Sequence, residues 1–287
     1  MNLTIVLGAL ELGGIFAIMS LGLYMSYKIL NIPDLTVDGS FTLGCAVSAM
    51  LTVQSMPYIG LFLSFVAGAI AGIITGILST KLKIMPLLAG ILTMTGLYSI
   101  NLAIMGDKPN VSLLGCDTIF TPFQSLNPYG RVILIAFIVL LICLFLNYFL
   151  KTHLGLALRA CGDNEDMVRA SSIDTDKMKI LGLALANGFV SLAGAVYAQH
   201  QTFSDITNGT GTMVIGLASI IVGLTFIRKD KIAFQLIAVV FGAIFYRFIL
   251  TIALQLGLPS SYLKLLSAVL VVIAISSTTI TRRRKKC

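Results

Sequence analysis

Side chains able to do chemistry are scarce in this sequence, and their spacing argues against covalent work. The two histidines, His153 and His200, and the five cysteines, at 45, 116, 143, 161 and 287, are scattered, with no C-x-x-C pair among them. The histidines fall at opposite ends of a predicted apolar span and cannot share a ligand sphere. Most of the cysteines sit in apolar surroundings, where a thiol acts as a small hydrophobe. The expectation is no metal site, no disulfide framework, no catalytic residues and no resident cofactor. A G-x-x-x-x-G-K-[S/T] phosphate loop is also missing, so if ATP and magnesium do work here they are held by another polypeptide.

The remaining polar groups stand in unusual places. Glu11 and Arg247 fall inside apolar runs, each about 10 to 12 Å below the outer end of its run at the helical rise per residue. Equal depth predicts a buried ion pair between Glu11 and Arg247, since either charge alone is costly there. In "NIPDLTVDGS", Pro33 bars a continuous helix, and Asp38 or Ser40 can cap the helix that follows. Discontinuous helices beside a transport path bind polar groups through freed backbone, so the stretch from Asp34 through Asp38 to Ser40 is a candidate gate. Tyr98, Asn101, Asn187 and Ser191 either line a path or hydrogen-bond neighbouring helices.

The densest polar cluster is "RACGDNEDMVRASSID", Arg159 to Asp174, with six ionised side chains in sixteen positions. Asp163 or Asn164 can cap a helix of about ten residues, with Glu165 and Asp166 in its first turn where carboxylates meet the positive end of the dipole. Met167, Ala170 and Ser171 make a small face flanked by Arg169. So short a helix is marginal in water and needs the neighbouring spans or a partner protein to hold it. It reads either as a solvated loop helix or as a coupling helix, a rigid knob received by a cytosolic motor.

The elements that carry these groups are membrane spans. Hydrophobic residues make up 57% of the 287 positions, charged residues 11%, and the mean hydropathy is +0.97. Apolar runs long enough to cross a bilayer recur throughout. Nine are expected, at about 3 to 27, 39 to 55, 58 to 80, 85 to 105, 130 to 150, 179 to 198, 212 to 228, 232 to 254 and 262 to 280. The fold class is thus an all-α polytopic helical bundle, one transmembrane domain over 1–287 with a loop at 151–178. The first run lacks a basic leader and reads as a retained span.

With the N-terminus outside, sixteen of the twenty cations collect on one side, among them Lys28, Lys81, Lys83, Lys151, Arg159, Arg169, Lys177, Lys179 and the tail Arg282 to Lys286. The positive-inside rule then puts the C-terminus and the Arg159 loop in the cytosol. The net charge of +8 is a topology signal, and the tail is an anchor at anionic lipid rather than a nucleic-acid arm. Gly68, Gly72 and Gly76 on the third span, and Gly194 with Ala198 on the sixth, let neighbouring backbones approach.

The blocks "NIPDLTVDGSFTLG", "KLKIMPLLAGILTMTGLYSINLAIMG", "GLALRACGDNEDMVRASSIDTDKMKILGLALANG" and "VIGLASIIVG" resemble the permease subunit of bacterial ABC importers of the tryptophan/tyrosine uptake type. These are relatives of the branched-chain amino-acid and ribose permeases. The resemblance spans roughly residues 10 to 275. It implies a homodimer in the bacterial cytoplasmic membrane, cytosolic ATP-binding subunits carrying ATP and magnesium, and an extracellular or lipoprotein substrate-binding protein that meets the outer loops at 106 to 129 and 199 to 211. It also implies that Asp163, Asn164, Glu165, Asp166, Met167, Arg169, Ala170 and Ser171 couple to the ATPase. Relatives often carry Leu-Gly-Ile where this chain has Ser171-Ser172-Ile173, and a Gly-Glu-Ala-Leu type run where it has "GLTFIRK" at 223 to 229. The alternative function is a secondary transporter or channel for a small metabolite, which would ordinarily need more intramembrane carboxylates than these. A cargo-free scaffold or sensor is the third reading.

Overall fold

A computed structural model describes residues 3–123, 129–227 and 231–257, together with 259, 262, 265–269 and 272. Most of the ninth expected span lies outside these residues, as do Arg228, Lys229, the basic tail and Cys287.

The first helix, α1 (Leu3–Tyr24), widens into a π-helical turn at Met25–Ile29, and the two form one span of 27 residues. It stops where Asn31 turns into the left-handed region at φ 56° and Pro33 offers no amide to continue it. Next come α2 (Thr36–Val53), α3 (Pro57–Thr80) and α4 (Pro86–Ile104). Proline opens both α3 and α4, at a position whose N–H would have no helical partner anyway. After α5 (Gly130–Phe149) the chain makes two short polar helices, α6 (His153–Asp163) and α7 (Glu165–Ala170). The long α8 (Thr175–Gln201) is followed by α9 (Thr212–Phe226) and α10 (Ile232–Gln255). Strand β1 (Asn110–Ser112) pairs antiparallel with β2 (Phe203–Asp205), Asn110 opposite Asp205.

Seven of these helices are long and apolar enough to cross a membrane: α1 with its π turn, α2, α3, α4, α5, α8 and α10. The expected nine are not reached among the described residues. Helix α9, the seventh expected span, has only 15 residues, short of the roughly 20 a full crossing needs. Its N-terminus lies inside the bundle, as the site geometry shows below.

Burial orders the helices. The most apolar windows of α1, α2 and α8 are 72% buried, against 22% for α5 and 28% for α4, so the first three form the centre and the outer helices present apolar faces to lipid. The seam between α3 and α8 is built on small residues: Gly68 faces Asn187 and Ser191, Gly72 faces the Leu183 carbonyl, and Gly76 faces Ile180. A Cβ on Gly72 would overlap backbone, which cannot move aside. Gly44 of α2 meets the Ser191 backbone in the same way, and Gly194 of α8 meets the Phe41 carbonyl. Such close approach supplies dispersion where lipid gives helices no hydrophobic reason to associate.

Candidate functional site

The stretch between α1 and α2 turns back into the bundle. Asp34 is 1% exposed, and its carboxylate accepts from the Thr36 amide at 2.9 Å and from Asn187 Nδ2 at 2.6 Å. Asn187 lies twelve residues into α8, about 18 Å along it at the helical rise. Ser40 Oγ donates to Asn187 Oδ1 at 2.7 Å, and Ser191 Oγ donates to the Ser64 carbonyl at 2.6 Å. Thr36, Thr75 and Thr93 continue the layer through hydroxyl contacts of 2.8 and 3.0 Å. Every acceptor here has a donor, which makes a buried polar layer tolerable.

The expected capping of α2 by Asp38 or Ser40 is corrected. Asp34 supplies the acceptor at the start of α2, because Thr36 already opens the helix. Asp38 instead caps a helix far along the chain. Its Oδ1 accepts from the Met213 amide at 2.8 Å and the Thr212 hydroxyl at 3.0 Å, and its Oδ2 accepts from the Gly211 amide at 2.8 Å. The chain from β2 therefore descends along α2, with Gly209 N donating to Thr42 Oγ1 at 3.0 Å, and α9 starts at the depth of the first turn of α2. This explains why α9 is short. Two helix N-termini thus meet inside the bundle around one carboxylate, an arrangement that offsets freed backbone polarity with a charge.

Beside this junction is a cavity of about 320 Å³ lined by Asp38, Thr42, Thr95, Tyr98, Asn101 and Thr210 with apolar neighbours. Of the seven expected path or gate residues, Asp38, Tyr98 and Asn101 line the cavity. Asp34, Ser40, Asn187 and Ser191 are in the helix seams instead. Thr36, Thr75 and Thr93 were not anticipated; single threonines in apolar runs carry no signal of their own.

Glu11 and Arg247 do not form the expected pair. Glu11 Oε2 lies 2.8 Å from His200 Nε2, with the Phe120 ring and the imidazole in a T-shaped contact, while the Arg247 guanidinium sits 5.5 Å over the Phe16 ring. No ion pair joins Glu11 to Arg247 among the described residues. Gly13 abuts Ile244, so α1 and α10 do run at matching depth. Glu11, two positions from Gly13, points about 200° round the helix, toward α8.

The polar cluster forms a knob at one end of the bundle. The expected ten-residue helix is corrected to six: α6 occupies the residues up to Asp163, and α7 begins after Asn164, whose side chain accepts from the Met167 amide at 3.1 Å. Val168 is its buried anchor, a residue that spacing did not single out, while Asp163, Asn164, Asp166, Met167, Arg169, Ala170 and Ser171 are exposed. Glu165 faces inward. It holds Lys179 of α8 and pairs with Arg169 at 2.9 Å, and these contacts pull its carboxyl below the ordinary carboxylate range, the Lys179 hydrogen bond contributing most. Lys81, after α3, pairs with Asp176 at 3.1 Å. A polar cleft of about 440 Å³ between α7, α8 and the end of α3 contains Lys83, Glu165, Arg169 and Lys179. Val168, Lys81 and Lys179 were missed because their roles depend on contacts between elements.

Apolar helices that break at depth around a polar junction and cavity, with a charged knob at one end, define a multi-pass membrane transport component. The chain belongs to the family described as branched-chain amino acid transport system / permease component, whose model matches residues 5–275. It is 41% identical over 260 residues to the tyrosine transport system permease protein of Clostridioides difficile, covering 90% of this chain and 86% of that one. It is 26% identical to the ribose import permease protein RbsC of Escherichia coli, covering 90% and 80%. Identity is 25% to the probable branched-chain amino acid transport permease protein LivH of Methanocaldococcus jannaschii, covering 81% and 78%. No solved structure matches significantly.

Proposed function

We propose that this chain is the membrane-spanning permease of an ABC importer that takes up an amino acid, an aromatic one such as tyrosine or tryptophan being favoured. The 41% identity to a tyrosine transport permease supports that cargo class. Two copies act as a homodimer in the cytoplasmic membrane of a bacterium, each with nine spans, the N-terminus outside and the C-terminus in the cytosol. Separate ATP-binding subunits hold ATP and magnesium. An extracellular or lipoprotein binding protein delivers cargo to the outer side, where tight recognition resides.

The observation that carries this reading is the knob. Helix α7 shows an exposed face of Asp166, Met167, Arg169 and Ala170, yet buries Val168 and is fastened to α8 through Glu165 and Lys179. A rigid element that is exposed on one face and tied to α8 on the other can receive force from a motor and pass it to the seam of α8 with α3. Asp163, Asn164 and Ser171 complete the surface offered to that motor. Asp38, Tyr98 and Asn101 line the path that opens and closes; Asp34, Ser40, Asn187 and Ser191 hold its walls in register.

The test is reconstitution in proteoliposomes with the ATP-binding subunit and binding protein. Uptake of labelled tyrosine or tryptophan should require ATP and survive collapse of the proton gradient. Uptake by the isolated chain, with no ATPase present, would instead establish a secondary transporter or channel.

A further inference from the structure

The cavity beside Asp38 has a one-sided chemistry. Asp38 has three donors on a carboxylate that offers about four lone-pair sites, which leaves room for one more donor. Each lining threonine has its hydroxyl hydrogen committed to a carbonyl: Thr42 to Asp38 O at 3.2 Å, Thr95 to Leu92 O at 2.9 Å, and Thr210 to Thr207 O at 2.7 Å. What these hydroxyls have left to offer is lone pairs.

Asn101 points the same way. It is 1% exposed, and its Nδ2 donates to the Gly39 carbonyl at 3.4 Å. A carbonyl can only accept, so this contact fixes the amide with Oδ1 on the other side. That oxygen is buried and has no hydrogen-bond partner. An orphaned acceptor at this depth carries a cost that a visiting donor would relieve. The uncommitted donors of the lining are the second amide hydrogen of Asn101 and the hydroxyl of Tyr98, on a half-exposed ring, so acceptors outnumber them.

We propose that this cavity is a transit site for the primary ammonium group of the cargo, with Asn101 Oδ1 and the open lone pair of Asp38 as its acceptors. Three N–H donors suit a lining of acceptors, and the Tyr98 ring and hydroxyl face the rest of the molecule. The proposal rests on the amino-acid importer reading and deepens it: passage through the permease selects for an amine and not for a bare carboxylate. The volume is at the small end of what ligand pockets offer, about 300 to 1,000 Å³. It therefore suits one amino acid held briefly.

The test uses the permease with its ATP-binding subunits in lipid nanodiscs, without the binding protein, and saturation-transfer NMR with three probes. These are tyrosine, tyramine, which keeps the ammonium and lacks the carboxylate, and 3-(4-hydroxyphenyl)propionate, which keeps the carboxylate and lacks the ammonium. Tyrosine and tyramine should bind at least about tenfold more tightly than the deaminated acid, the loss expected for one charge-assisted hydrogen bond. Asn101→Leu should weaken tyrosine and tyramine by a similar factor, with its folding checked by co-purification with the ATP-binding subunit. Equal binding of the deaminated acid, absence of tyrosine and tyramine binding, or unchanged affinity in a folded Asn101→Leu protein would each overturn the proposal. The probe comparison in the unsubstituted protein stands even if that variant fails to fold. Failure of the importer reading is read separately, as loss of ATP-dependent uptake in the reconstituted wild-type system.

Discussion

Replacing Asp38 by alanine should unlatch α9 from α2. The carboxylate accepts from the Gly211 and Met213 amides and the Thr212 hydroxyl. The hydroxyl has a second acceptor in the Gly209 carbonyl at 3.0 Å, so the substitution strands two amides and not three groups. A stranded buried N–H costs about 1 to 3 kcal/mol, which puts the loss at about 2 to 6 kcal/mol. Asp38→Asn keeps an oxygen for Met213 and Thr212 but turns its amide toward Gly211, stranding one N–H and losing about 1 to 3 kcal/mol. Reversible unfolding in mixed micelles measures both variants, and hydrogen exchange at 211–215 localises the effect. The expected order of stability is wild type, Asp38→Asn, Asp38→Ala. The capping argument is refuted if Asp38→Ala unfolds within about 0.5 kcal/mol of wild type, a difference typical of surface changes, or if the asparagine variant is the weaker of the two.

Met167→Glu places a charge on the exposed face of α7 and should reduce co-purification with the ATP-binding subunit at least tenfold while thermal unfolding is unchanged; a stable complex with this variant would remove Met167 from the contact. The Glu165 carboxyl is held below its ordinary value of 4.5, so its contribution is fully present above that value and is lost as pH falls through the depressed one. A spin label at Ala170→Cys should therefore keep its neutral-pH mobility down to about 4.5 and become more mobile only in stronger acid, whereas a gain in mobility near pH 6 would point to another group. Ser172 ends α7 with φ 62°, a left-handed conformation that costs a side chain about 1 kcal/mol or more, so Ser172→Gly should steady the turn by about 0.5 to 1 kcal/mol. Slower hydrogen exchange across residues 165–173 is the readout, and equal or faster exchange would show that serine is already relaxed there.

The spans were legible because long apolar runs bounded by proline leave few alternatives: the expected 58 to 80 is Pro57–Thr80, and 85 to 105 is Pro86–Ile104. The glycine pattern on the third span likewise matches a seam that is seen. Depth could be read from residue counts, but direction round a helix could not, and this is why Glu11 was assigned to Arg247 when it faces His200. Helix α6 escaped notice because eleven residues of mixed polarity resemble a loop. Asp38 was expected to cap its own helix because local capping is the common case, while its partners lie 173 to 175 positions away. Where a polar group's partner comes from another part of the chain, no spacing rule can supply it.

The glycine-lined contact of α8 with α3 and α2 has a mechanical consequence. Where backbone rests on backbone there is no side chain to lean or flex, and sliding one helix past its neighbour would require a jump of about one turn, roughly 5.4 Å. These three helices therefore travel as a keel, one rigid piece through any working stroke, and the compliance of the molecule is left to the thinly attached helices at its flanks.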